Sequence, residues 1–198
     1  KVKDAKKITE SLTRTSKMPG LSYSLPAWAC QTGAKLRKIP SSPCFGCYAM
    51  KNNYIRYPAI KAAQYRRLDA IDNPLWVEAM VVQIKRQKWF RWHDAGDLQS
   101  VDHMNKIIEV CKQTPGTQHW LPTQERQYLP KPEDVPANLI IRLSAAKVNG
   151  TAGNAWSHSS TVVTDGSASC AAPDQGGKCL DCRACWNKDV KNVSYGKH

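Results

Sequence analysis

The sequence predicts an α/β fold: a single domain with a largely parallel sheet, flanked by irregular cysteine-rich N- and C-terminal segments. Two observations carry this. Between residues 56 and 166, short apolar runs alternate with stretches of helical periodicity, the signature of strand–helix–strand units. On either side, in 1–55 and 167–198, the chain is rich in Pro, Gly and Cys and shows no period. At 198 residues it is long enough for one sizeable core without covalent staples.

The elements follow in order. Tyr57, Ile60, Gln64, Leu68 and Ile71 share one helical face, so a helix is expected from Arg56. Asn73-Pro74 reads as N-cap and first residue of a second helix reaching about Gln87. Trp89–Trp92 reads as a strand. Ser100 then caps a helix with Val101, Met104, Ile107, Ile108 and Cys111 on its apolar face, stopped by Pro115-Gly116. His119–Leu121, Leu139–Leu143 and Thr161–Thr164 read as further strands.

In parallel sheets ligands gather at the C-terminal strand ends. The residues expected there are His93, Asp94, Asp97, Thr123, Glu125, Ser144 and Asp165. An imidazole beside carboxylates suits general acid–base work, and a hydroxyl from Ser144 or Ser100 would complete a nucleophilic set. Asp97 and Ser100 could equally cap the next helix. His93, Asp94, Asp97 and Ser144 are the catalytic candidates. His103, in the first turn of its helix, is expected to be solvated, and His119, His158 and the terminal His198 stand alone.

The eight cysteines need a reason other than stability. The tail reads Cys170-x8-Cys179-x2-Cys182-x2-Cys185. Three thiolates at that close spacing converge on one side of a compact loop and suit three irons of a cubane. Cys170 is the nearest fourth ligand, so a [4Fe–4S] cluster is expected. Zinc is the alternative, with Cys44-x2-Cys47 partnering Cys182-x2-Cys185 as two knuckles. Cys30, Cys44 and Cys47 form a second set, able to complete the tail's cluster, bind a zinc or stay as thiols. Radical enzymes that use S-adenosylmethionine space their three cysteines x3 and x2. The thirteen-residue interval between Cys30 and Cys44 departs from that, and the spacing alone does not support such an activity. Cys111, on an apolar helix face, is expected to be an unligated core thiol.

Charge and hydropathy bound the partners. The formal charge is +13, and all of the excess lies in residues 1–91, with 18 Lys and Arg against 5 Asp and Glu. Such asymmetry suits an anionic partner such as nucleic acid, or simply a solvated surface. No apolar run has transmembrane length and no leader is evident, so a cytoplasmic, reducing setting without a membrane partner is expected. Because the chain does not begin with Met, residues upstream of Lys1 are expected.

Several blocks resemble the bacteriophage gene-product-88 protein family. They are Lys17-Met-Pro-Gly-Leu-Ser-Tyr, Cys44-Phe-Gly-Cys-Tyr-Ala, Arg91-Trp-His-Asp-Ala-Gly-Asp-Leu-Gln-Ser and Trp120-Leu-Pro-Thr-Gln-Glu. Ser160-Thr-Val-Val-Thr, Gly177-Lys-Cys-Leu-Asp-Cys-Arg-Ala-Cys-Trp and Val193-Ser-Tyr-Gly-Lys-His198 complete the set. The resemblance implies a viral origin, hence the cytoplasm of an infected host cell, and metal-type cysteines at both ends. It supplies no reaction.

Two classes of function result. In the first, the chain is an enzyme acting on a small-molecule substrate, with hydrolysis of an ester-like bond near His93 and a redox-sensitive cluster. Hydrolysis is preferred because no nucleotide-phosphate loop or flavin fingerprint is present. In the second it is a metal-stabilised nucleic-acid-binding protein. Electron transfer to a redox partner is a third reading.

Overall fold

Six strands run parallel in a sheet whose neighbours follow one another in chain order. A computed structural model describes residues 1–51 and 53–197 of the chain. Its strands are β1 (Thr13–Arg14), β2 (Leu21–Tyr23), β3 (Trp89–Trp92), β4 (Gln118–Thr123), β5 (Leu139–Ser144), β6 (Ser159–Val163) and β7 (Asn192–Gly196). Only the β1–β2 pair is antiparallel. The order never reverses, so there is no switch point, and this is the arrangement that parallel barrels use. Here it stays open, since β1 and β7 are the two ends of the order. In barrels of this kind the working face lies at the C-terminal ends of the strands.

The helices are α1 (Val2–Thr9), α2 (Gln31–Leu36), α3 (Asn53–Arg56), α4 (Pro58–Ala70), α5 (Trp76–Ile84) and α6 (Val101–Gln113). Side chains alternate across β3, and Phe90 and Trp92 face the core shared with Met80 and Ile84 of α5 and Met104 and Ile107 of α6. Leu121 and Ile141 continue that layer on β4 and β5. Ser100 caps α6 as expected, its hydroxyl accepting the His103 N–H at 3.0 Å, and Cys111 is fully buried in the same layer. The opposite side of the sheet carries Trp89, Arg91, Trp120 and Arg142. It is covered by the β6–β7 connection, whose Trp186 packs edge-on against Trp89 and Trp120.

Several expectations need correction. The first 55 residues are not merely irregular: they supply α1, β1, the first parallel strand β2, and α2. The tail likewise ends in β7, which pairs with β6 over five residues. Short strands beside Gly and Pro carry too few apolar positions for alternation to show. The second helix starts at Trp76, because the Asn73 side chain accepts the Leu75 N–H at 2.9 Å and holds a turn there. Tyr57 and Ile60 stand exposed, so the buried stripe of α4 begins at Gln64. His103 is not solvated but fully buried beside Trp76. Among the described residues no helix is long and apolar enough to cross a membrane.

The basic residues divide into two kinds. Arg66 is exposed and pairs with Glu10 at 2.5 Å. Arg67 is buried and spends its guanidinium on the carbonyls of Ser11 and Ser24, a structural role that removes it from any ligand-binding surface.

Candidate functional site

The strand-end residues separate into two groups. His93 is buried, with a left-handed backbone (φ 55°), and neither ring nitrogen has a hydrogen-bond partner. Its ring lies 5.2 Å from that of His103, on the helical side of the sheet. Burial, with lesser contributions from His103 and Arg91, holds its pKa well below the usual imidazole value, so it is neutral. Asp94 points elsewhere: it accepts the Ser22 hydroxyl at 2.6 Å and the Tyr54 hydroxyl at 3.0 Å. Asp97 accepts the Leu98 and Gln124 N–H groups, both at 2.8 Å, and the Thr123 hydroxyl at 2.6 Å. Ser144 meets Ser160 at 3.1 Å. The arrangement expected of an acid–base set is therefore not formed. No carboxylate orients His93, and the Ser144 hydroxyl is engaged by β6.

What Asp97 and Glu125 do instead is hold the loops at the mouth of the sheet. Asp97 joins the end of β3 to the end of β4. Burial lifts its carboxyl to about 7, against the pull of three donors. Glu125, fully buried just past β4, accepts the N–H groups of Gln31 and Thr32 at 3.0 and 2.8 Å and the Thr32 hydroxyl at 2.6 Å. It thereby anchors the first turn of α2, immediately after Cys30.

Cys30, Cys44 and Cys47 meet at this place. The sulfurs of Cys30 and Cys44 lie 3.7 and 3.9 Å from the point a Cβ on Gly33 would occupy, and that Cβ would be 2.9 Å from the Cys30 Cβ. A side chain at position 33 would crowd the Cys30 Cβ, so only glycine fits there. Burial raises the Cys30 thiol strongly, with Asp97, Cys47 and Cys44 adding to it. The Cys44 thiol is pushed up to about 11, again by burial first and Cys47 second.

The tail cysteines gather on the helix-free face. Cys179 feels burial first and then the charge of Cys170, with Cys182 also close enough to act on it. Cys185 is raised by burial and lies 3.2 Å from the Tyr195 hydroxyl. Arg142, fully buried in the otherwise apolar strand β5, donates to the carbonyls of Ala184, Cys185 and Asn187 at 2.9, 3.1 and 3.0 Å. The Cys179 N–H donates to the Lys17 carbonyl at 2.9 Å, tying the loop to the approach to β2. Among the described residues no three His, Cys, Asp or Glu side chains stand close enough to hold a single metal ion.

Arg91 lies between the two sets. Its guanidinium stacks over Trp120 at 4.5 Å and donates to the Met18 sulfur at 3.7 Å, while its Nε is buried without a partner. Tyr48, Asp94, Tyr195 and Cys185 all act electrostatically on it. Tyr48, next to Cys47, turns its hydroxyl inwards and donates to the Asp94 carbonyl. Sequence reasoning missed Arg91, Arg142, Tyr48 and Tyr195. A lone arginine inside each of two apolar strands, Trp-Phe-Arg-Trp and Leu-Ile-Ile-Arg-Leu, was the readable signal.

An open, chain-ordered and mostly parallel sheet with helices defines a single-domain α/β protein. The chain belongs to the Gene product 88 family, whose profile matches residues 1–188. The C-terminal stretch 193–198 lies beyond the matched residues, and His198 is also outside the described ones. No curated protein and no solved structure matches the chain significantly.

Proposed function

We propose that the chain is a phage iron–sulfur enzyme, with Cys170, Cys179, Cys182 and Cys185 holding a [4Fe–4S] cluster against the helix-free face of the sheet. The observation that carries this is the docking of the cysteine loop by Arg142. A buried guanidinium spent on three carbonyls of that loop fixes its backbone where Cys185 meets Tyr195. Thiols that burial raises, as at Cys179 and Cys185, are costly to ionise alone, and a cationic iron core supplies the missing counter-charge.

Enzymatic use is supported by what surrounds the cluster site. Arg91, Tyr48, Tyr54, Asp94 and Tyr195 form a polar cluster, with Asp94 buried in it, near the C-terminal end of β3, the end at which parallel barrels do their chemistry. Ester hydrolysis at His93 draws no support from this geometry, since the ring is neutral, buried and without an orienting carboxylate. The reaction is therefore assigned to the face that carries Arg91.

The test is anaerobic reconstitution followed by iron and sulfide analysis. Brown protein with acid-labile sulfide is expected, and Cys182→Ser should lose about four irons. Colourless protein holding stoichiometric zinc, or a Cys182→Ser variant with wild-type iron, would refute the reading.

A further inference from the structure

The tail leaves three cysteines over, and their placement is specific. Cys30 follows β2, the first parallel strand of the sheet, at the end where the mouth opens. The interval to Cys44 folds as α2 and a run of tight turns, with Arg37 N–H on the Gly33 carbonyl at 2.9 Å and Ser42 N–H on the Ile39 carbonyl at 2.9 Å. The chain thus leaves and returns to the same spot. A thirteen-residue gap becomes a closed loop, and the departure from tighter cysteine spacings loses its force: a metal centre responds to where sulfurs stand, not to how many residues lie between them.

The set supplies three ligands. The carboxylates that face Cys30 are those of Asp97 and Glu125, and both are committed. Asp97 takes Leu98, Thr123 and Gln124, and Glu125 takes Gln31, Thr32 and Gln127. A four-iron cluster seated here would keep one iron without a protein donor. The neighbourhood fits a ligand at that iron: only glycine fits at position 33 against Cys30, and Tyr48, next to Cys47, lies beside Arg91, whose buried Nε has no partner.

We infer that Cys30, Cys44 and Cys47 hold a second [4Fe–4S] cluster whose open iron takes the amino and carboxylate groups of S-adenosylmethionine, making this mouth the starting point of radical chemistry. This rests on the iron–sulfur reading of the tail only for the presence of a second cluster. An iron held by sulfur on one side accepts harder nitrogen and oxygen donors on the other, and an α-amino acid offers both as a five-membered chelate. The bound sulfonium is then the electron acceptor. A low-potential one-electron donor, reduced flavodoxin or dithionite, reduces the cluster, and the electron passes to the sulfonium. The sulfur–C5′ bond breaks, giving methionine and a 5′-deoxyadenosyl radical. That radical takes a hydrogen atom from the substrate, leaving 5′-deoxyadenosine and a substrate radical. Glu125 is a positioning residue in this scheme, since it holds α2 and Cys30 but touches no reacting atom.

The experiment uses the full chain, reconstituted anaerobically and reduced with dithionite. Wild type should hold about eight irons, and the Cys30→Ala/Cys44→Ala/Cys47→Ala variant about four. Adding S-adenosylmethionine should change the electron paramagnetic resonance signal of wild type and of Cys182→Ser. It should leave the triple variant unchanged. Chromatography should find 5′-deoxyadenosine several-fold above a protein-free control. Wild-type iron in the triple variant overturns the second cluster. An unchanged resonance signal in iron-loaded wild type, with no 5′-deoxyadenosine, overturns the ligand, and this needs no variant to fold. Loss of the tail reading shows separately, as wild-type iron in Cys182→Ser.

Discussion

Glu125 and Thr32 are joined twice: one carboxylate oxygen accepts the Thr32 N–H at 2.8 Å and the other its hydroxyl at 2.6 Å. This pair spans the sheet mouth from the end of β4 to the start of α2 and sets the position of Cys30 one turn away. Glu125→Ala would leave two helix N-terminal donors unmet. It is expected to cost about 1–3 kcal/mol in urea unfolding and to lower the iron of the N-terminal set. Full iron in a destabilised Glu125→Ala protein would show that Cys30 is held by other means.

Arg142→Met should release the tail. Five carbonyls, of Ser159, Ala184, Cys185, Asn187 and Lys191, lose a donor inside the protein, where each unmet acceptor costs about 1–3 kcal/mol. Limited proteolysis is expected to cut between Thr164 and Lys191 at protease levels that spare wild type. A variant as resistant as wild type, with its iron intact, would count against the clamp.

Gly33→Ala tests the cradle between the thiols. A Cβ there would stand 2.9 Å from the Cys30 Cβ, inside ordinary contact distance and on a short, rigid neighbour. The N-terminal set should lose its iron while the tail keeps about four. Retention of all the iron would mean that α2 shifts freely.

Acid should destabilise the protein through three buried histidines, since burial holds His93 well below its usual value and acts likewise on two more. His103 and His119 are held near 3 by burial, against about 6.5 when unfolded. Between those values the unfolded chain binds protons that the folded one refuses. Stability is full above about 6.5 and falls as pH drops, by up to about 1.4 kcal/mol per pH unit for each histidine. Asp97 opposes this from about 7 down to its ordinary carboxyl range, because the folded state keeps a proton there that the unfolded state releases. Three histidines outweigh one aspartate, so the net slope is loss on acidification. Denaturation midpoints at several pH values should show His103→Gln with a shallower acid slope than wild type. An equal slope would place the titration elsewhere.

Much of the fold was legible where elements were long or sharply punctuated. Trp89–Trp92 and the Ser100-capped helix were read to the residue or nearly so, because alternation and a side-chain cap are local properties. β2, with Leu21, Ser22 and Tyr23, was not, since three residues beside Gly20 offer no period and owe their strand state to pairing with β3. The same limit governs the site. The tail cysteines announced themselves by spacing, whereas the convergence of Cys30 with Cys44 depends on α2 and its turns. His93 and Asp97 looked like partners because they are close in sequence. In the fold the His93 ring lies beside His103 without a hydrogen-bond partner, while Asp97 serves the backbone donors of Leu98 and Gln124.

The order of strands also bears on how the protein is made. β7 leaves the ribosome after the other six strands, and it closes onto β6 only after the whole cysteine loop has been synthesised. Until then β6 presents an unpaired edge, the kind of surface on which nascent chains associate with one another. Closing the stretch from Thr164 to Lys191 costs loop entropy that a metal tie inside it would reduce. Iron supply during synthesis would then govern yield as well as colour. Iron-starved cells should deliver this chain as aggregate, with its sheet one strand short.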